Sequence, residues 1–173
     1  MNRRQALLTL LATSFGVVSG RGLAKPNVIA LDWGDLVPDP DFALLMKDLR
    51  ELGVINHGEL SSGFEQEKAE AVTQKFNGSV VRIPGFVVPL DLTGQGITMF
   101  ILAPFVGACI HVPPPPANQL ILVTTETPYE YDGLFDPVEV TGIFDTASAS
   151  TPLADIGYIM TAQEIAPFDV TSY

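Results

Sequence analysis

The chain has 173 residues, with 9 Lys and Arg against 20 Asp and Glu, a formal charge of −11, and 47% apolar residues. It is too apolar for a disordered chain and has the length of one globular domain rather than several, enough to bury roughly 70% of its unfolded surface without a disulfide. The single cysteine, Cys109, excludes an internal disulfide and a four-Cys zinc site.

Residues 1–24 read as an export signal. Arg3 and Arg4 form a positive start, Ala6 to Val18 is a largely apolar run, and Gly22-Leu23-Ala24 offers small residues at a cleavage site. The run is too short to span a bilayer. The Arg pair in Asn2-Arg3-Arg4-Gln5-Ala6-Leu7-Leu8 points to the twin-arginine route, with an ordinary signal as the alternative and Ala6 where a Phe is usual. No Cys stands at the cleavage site to carry a lipid. Cleavage removes Arg3, Arg4 and Arg21 and no acid, leaving six basic residues against twenty acids, a charge of −14. After Arg82 there is no Lys or Arg but ten acids. Phosphate backbones need Lys and Arg to displace their counterions, so nucleic acid and anionic lipid are poor partners. Cations, a basic protein face, or simple solubility suit this surface better.

The mature chain divides into an arm with two helices over 25–78 and a strand region over 79–173. Residues 25–38 read as extended, with Trp33 and Leu36 as apolar anchors. Asp39-Pro40-Asp41 starts a helix: Asp39 caps, Pro40 suits the first turn and Asp41 the positive end. Phe42, Leu45, Met46, Leu49 and Leu52 follow at helical spacing, and Gly53 ends the run. A second helix is expected over about 63–76. Ser62 and Glu65 make a capping box and Asn77-Gly78 the stop, with a flexible linker as the alternative.

Five apolar, β-rich runs then follow: Val80 to Val88, Ile97 to Leu102, Leu120 to Thr124, Val138 to Phe144 and Ile156 to Ile165. Two of them echo each other, Val81-Arg82-Ile83-Pro84-Gly85-Phe86 and Val138-Glu139-Val140-Thr141-Gly142-Ile143, each placing a Gly where a strand bends or approaches another backbone. The expected fold class is therefore α+β: a small five-stranded Greek-key, OB-like β-barrel with two N-terminal helices. Glu126 to Pro137 reads as a turn-rich loop, and a β-sandwich is the alternative.

Residues 104–119 carry the chemistry. Pro113, Pro114, Pro115 and Pro116 form a rigid polyproline segment. An extended Cys109-Ile110-His111 puts Cys109 and His111 on one face. A thiolate and an imidazole on a stiff frame suit zinc or copper. The only other histidine, His57, is a third candidate ligand, and Asn118 and Gln119 are candidates to bind and orient the His111 ring. Cys109 is otherwise a buried hydrophobe or a reactive thiol. A Cys–His catalytic pair needs to face across a gap, which residues i and i+2 of one strand do not do.

Val81 to Leu90, Gly107-Ala108-Cys109-Ile110-His111-Val112-Pro113-Pro114-Pro115-Pro116-Ala117-Asn118-Gln119, Val138 to Gly142 and Trp33-Gly34-Asp35-Leu36-Val37-Pro38 together resemble a bacterial envelope family, the domain-of-unknown-function family numbered 3299. The resemblance covers about residues 32–168. It implies an exported protein or lipoprotein, in some cases encoded beside ABC-type transporter components and linked to metal supply, with no activity assigned. The expectation is thus a non-enzymatic periplasmic binding or accessory protein related to zinc or copper and working with an envelope transporter component. A protein–protein adaptor docking through the proline ridge, with Cys109 structural, and a thiol redox enzyme are the rival readings.

Overall fold

The computed structural model describes residues 27–51, 70–90, 96–106, 115–130, 133 and 135–169. The elements in chain order are β1 (Ile29–Ala30), α1 (Pro40–Glu51), β2 (Ser79–Pro89), β3 (Ile97–Ala103), β4 (Ile121–Tyr129), β5 (Pro137–Ser150) and β6 (Asp155–Pro167), with short 3-10 turns at Trp33–Leu36 and Ala117–Gln119.

The first turn is capped by side chains. Gly34 N–H donates to Asp32 Oδ1 at 2.8 Å and Asp32 N–H donates to Asp35 Oδ2 at 2.9 Å, a reciprocal capping box. Helix α1 begins as its sequence dictates, with Phe42 N–H donating to Asp39 Oδ1 at 2.8 Å. Its buried face is narrower than the expected stripe. Phe42 and Met46 are buried, but Leu45 is 47% exposed.

The strands form one six-stranded sheet in the order β1-β2-β3-β4-β6-β5. β1 and β2 are parallel, with Ile29 opposite Val81, and so are β4 and β6, from Ile121 opposite Tyr158 to Thr124 opposite Thr161. The other neighbours are antiparallel. β2 is shared, because Ser79–Phe86 also pairs antiparallel with Phe144–Pro137 of β5. Alternation along β2 buries Val81, Ile83 and Val87 and leaves Arg82 outside, 3.7 Å from Glu139. One core cluster joins Trp33, Leu36 and Phe76 to Ile83, Phe100, Phe144 and Tyr158. A second packs Phe42 and Met46 of α1 on Val88, Ile101, Phe105 and Leu120.

Two expectations are corrected here. The clean five-stranded OB-like barrel gives way to a six-stranded sheet of mixed direction. β1 adds a sixth strand in parallel with β2, and β4 and β6 pair parallel over a short stretch, from Ile121 and Tyr158 to Thr124 and Thr161. Instead of two helices, α1 is the one α-helix with a full range among the described residues. Of the expected second helix, Glu70 is helical and residues 71–76 are loop and turn, while 63–69 lie outside the described residues. The cause is competition for backbone groups. Asn118 Nδ2 donates to Ala71 C=O at 2.9 Å, Thr73 N–H donates to Tyr158 Oη at 2.8 Å, and Thr146 Oγ1 donates to Thr73 C=O at 2.8 Å. These tertiary partners take the places of helical i→i−4 bonds. The turn-rich loop also starts later than expected, since β4 runs on to Tyr129.

Candidate functional site

The signature block meets the fold at Pro115–Gln119. Pro115 and Pro116 are buried, and both Asn118 and Gln119 are wholly enclosed. Burying two uncharged amides is unfavourable unless their polar atoms are engaged. Gln119 Nε2 donates to Trp33 C=O at 3.0 Å and to Asn118 C=O at 2.9 Å, while Asn118 Nδ2 reaches Ala71 C=O. Trp33 in turn donates its indole N–H to Pro84 C=O at 2.7 Å. Three segments far apart in the chain, around Trp33, Pro84 and Asn118-Gln119, therefore close on one another through side chain to backbone bonds. Gln119 Oε1 is buried and accepts no hydrogen bond among the described residues.

Cys109, His111, His57, Pro113 and Pro114 lie outside the described residues. Among the described residues no group of three or more His, Cys, Asp or Glu stands close enough to hold a metal ion. Both Nε2 protons of Gln119 go to main-chain carbonyls. Its Oε1 remains as an acceptor.

Tyr158 is the residue that sequence reading missed. It sits in the middle of an apolar run, and its hydroxyl is the only cue to a polar role. The hydroxyl donates to Leu36 C=O at 2.6 Å and accepts from Thr73 N–H, joining β6 to both N-terminal segments. Burial pushes the phenol from 10.0 up to about 12, partly offset by the bond from Thr73.

A cleft of about 800 Å³ opens elsewhere, between the parting ends of β4 and β6. Thr125–Glu130 form one wall and Thr161–Ile165 the other, Ile143 of β5 also lines it, and none of the expected site residues does. Among the described residues no helix is long and apolar enough to cross a membrane.

Fold and anchor together define a mixed-sheet domain in which a buried Trp–Gln–Asn network grips the proline-rich segment. The family model described as "Protein of unknown function (DUF3299)" matches residues 33–167, and the chain belongs to this family. The crystal structure of a DUF3299 family protein, PA4066, from Pseudomonas aeruginosa PAO1 is similar in fold, with 28% identity and a TM-score of 0.59 over 84% of this chain and 98% of that one. No curated protein matches the chain.

Proposed function

We propose that this family member is a non-enzymatic accessory or binding protein of the periplasm, exported by the twin-arginine route, that carries zinc or copper on Cys109 and His111 for an envelope transporter component. The observation that carries the reading is the anchor immediately downstream of these residues. Pro115, Pro116, Asn118 and Gln119 are buried and tied to the Trp33 and Ala71 backbones. A segment stiffened by prolines and fixed at one end is a suitable frame for two ligands two residues apart. The donor set fits the metals named, since thiolate and imidazole suit zinc and copper. Gln119 Oε1 is a buried acceptor of the kind that orients a ligating imidazole. With only His57 left as a histidine, the set is short of a closed tetrahedral site. That favours a carrier that completes its coordination with a partner's group.

Titration calorimetry of the mature protein with Zn²⁺ and with Cu⁺ tests the proposal. A site of about micromolar affinity or tighter is expected, lost in Cys109→Ser, strongly weakened in His111→Ala, and weaker as falling pH protonates both ligands. Absence of such a site in the wild type, or a site unchanged in Cys109→Ser, overturns it.

A further inference from the structure

We propose that the cleft between β4 and β6 docks an extended, basic peptide segment of a partner protein, which adds to the free edge of β6 as a strand. The inference stands independently of the metal proposal.

The cleft exists because two parallel strands separate. β4 and β6 are in register from Ile121 and Tyr158 to Thr124 and Thr161, and pair no further. β6 is bent at this point by a bulge. Gly142 of β5 faces Ala162 and Thr141 faces Glu164, so Gln163 is the extra residue. Beyond it β6 continues to Pro167 with β5 on one side only, and no described strand covers the other edge. A strand presents backbone N–H and C=O groups along both edges, and an uncovered edge is a template for another chain. Ala162 to Ala166 offers about 16 Å of it at ~3.3 Å per residue. On the opposite wall, residues 125–128 loop out between the Met99–Thr124 and Ile97–Tyr129 pairs, which keeps β4 away from that edge.

The side chains around this edge select the occupant. Ile143, 42% exposed, gives an apolar point on the outer face, whereas Ala162 and Ile165 pack on the core. Glu126, Glu130 and Glu164 rim it and are exposed. No Lys or Arg follows Arg82 in the sequence, so neither wall contains a cation. A second copy of this chain would bring the same acids to the same place, which disfavours self-pairing. An extended segment rich in Lys or Arg meets these features: its backbone the β6 edge, and its cations the three glutamates.

Fluorescence anisotropy of the mature protein with a labelled octapeptide alternating Lys and Val is the test. Expected is saturable binding with Kd below about 100 µM, absent for the Glu–Val counterpart. The triple variant Glu126→Gln, Glu130→Gln, Glu164→Gln should weaken binding about tenfold, the scale of three exposed ion pairs. Methylating alternate backbone nitrogens of the peptide, on whichever face points to β6, should weaken it by about tenfold or more while leaving its charge intact. No binding, or binding indifferent to N-methylation in both phases, overturns strand addition. Binding unchanged in the triple Gln variant overturns the assignment to this cleft. Dimerisation abolished by Ile143→Lys gives the edge to a second copy and overturns the proposal as well.

Discussion

Replacing Tyr158 by Phe removes a single oxygen from the centre of the fold, and the structure says what that oxygen holds. The ring is fully buried and packs on Phe144 with centroids 5.0 Å apart. That packing survives the substitution, so the effect reports the hydroxyl. Two hydrogen bonds disappear, to Leu36 C=O at 2.6 Å and from Thr73 N–H at 2.8 Å. Each contributes about 0.5–1.5 kcal/mol, and a partner left dry adds to that. Leu36 is fully enclosed, whereas Thr73 is half-buried and within reach of water. The balance is a loss of about 2–3 kcal/mol. Equilibrium urea unfolding should show it as a lower midpoint at unchanged slope. The same oxygen also sets a pH dependence. With a phenol at about 12 in the folded protein and 10.0 ordinarily, the unfolded chain loses this proton first as pH rises. The stabilisation is complete below the lower value and is lost on approach to the upper one. The gap between wild type and Tyr158→Phe should therefore narrow from about pH 10 to about pH 12. A loss under about 0.5 kcal/mol at neutral pH, or a gap that widens with alkali, refutes the reasoning.

Gly142→Val should be among the most damaging single changes in the sheet, because a Cβ there runs into Thr161 C=O and lies 2.9 Å from Ala162 Cα. A loss of about 2–3 kcal/mol and a fall in Tm of roughly 4–10 °C are expected. Gly133→Ala, where a Cβ meets nothing within 4 Å, should be near neutral by the same melting assay. Gln119→Met keeps the volume but deletes both donated bonds while also removing the unmatched Oε1, so urea unfolding should show a loss of about 2 kcal/mol.

The start of α1 was legible because its determinants are local: Asp39, Pro40 and Asp41 act within one turn. The five strand runs were legible for the same reason, and Gly142 marks a bulge while Gly85 lies 2.8 Å, at its Cβ position, from Ala103 C=O. What escaped depends on partners distant in sequence. Ile29–Ala30 is too short for any periodic signal and is a strand because Val81 and Arg82 lie beside it. The segment at 71–76 carries helix signals but is unwound by Asn118, Thr146 and Tyr158, whose positions only the assembled sheet defines. The cleft was invisible because its two walls come from strands more than thirty residues apart. In the signature block, the sequence displayed the residue types at once. That Asn118 and Gln119 turn their donors toward Ala71 and Trp33 follows only from the packing.

A hydrophobic pair of the same volume at 118 and 119 would leave the carbonyls of Ala71, Trp33 and residue 118 without these donors, so the two amides contribute to stability, but not to stability alone. Their value lies also in geometry. Gln119 can satisfy its two donors only when the Trp33 carbonyl and its own preceding carbonyl converge on it, and the Trp33 turn is itself pinned by Pro84. A polar network with so few solutions sets one position for the chain where an apolar contact would tolerate slippage. The segment fixed this way is the one that leads back to His111 and Cys109. The proposed metal carrier would need its ligands on a frame of defined position, and the Trp33–Pro84–Gln119 closure would serve as that frame. It also keeps that frame separate from the β6 edge, whose lining shares no residue with it. The two proposals can then be tested separately by substitution, metal binding by Cys109→Ser and peptide binding by the triple Gln variant.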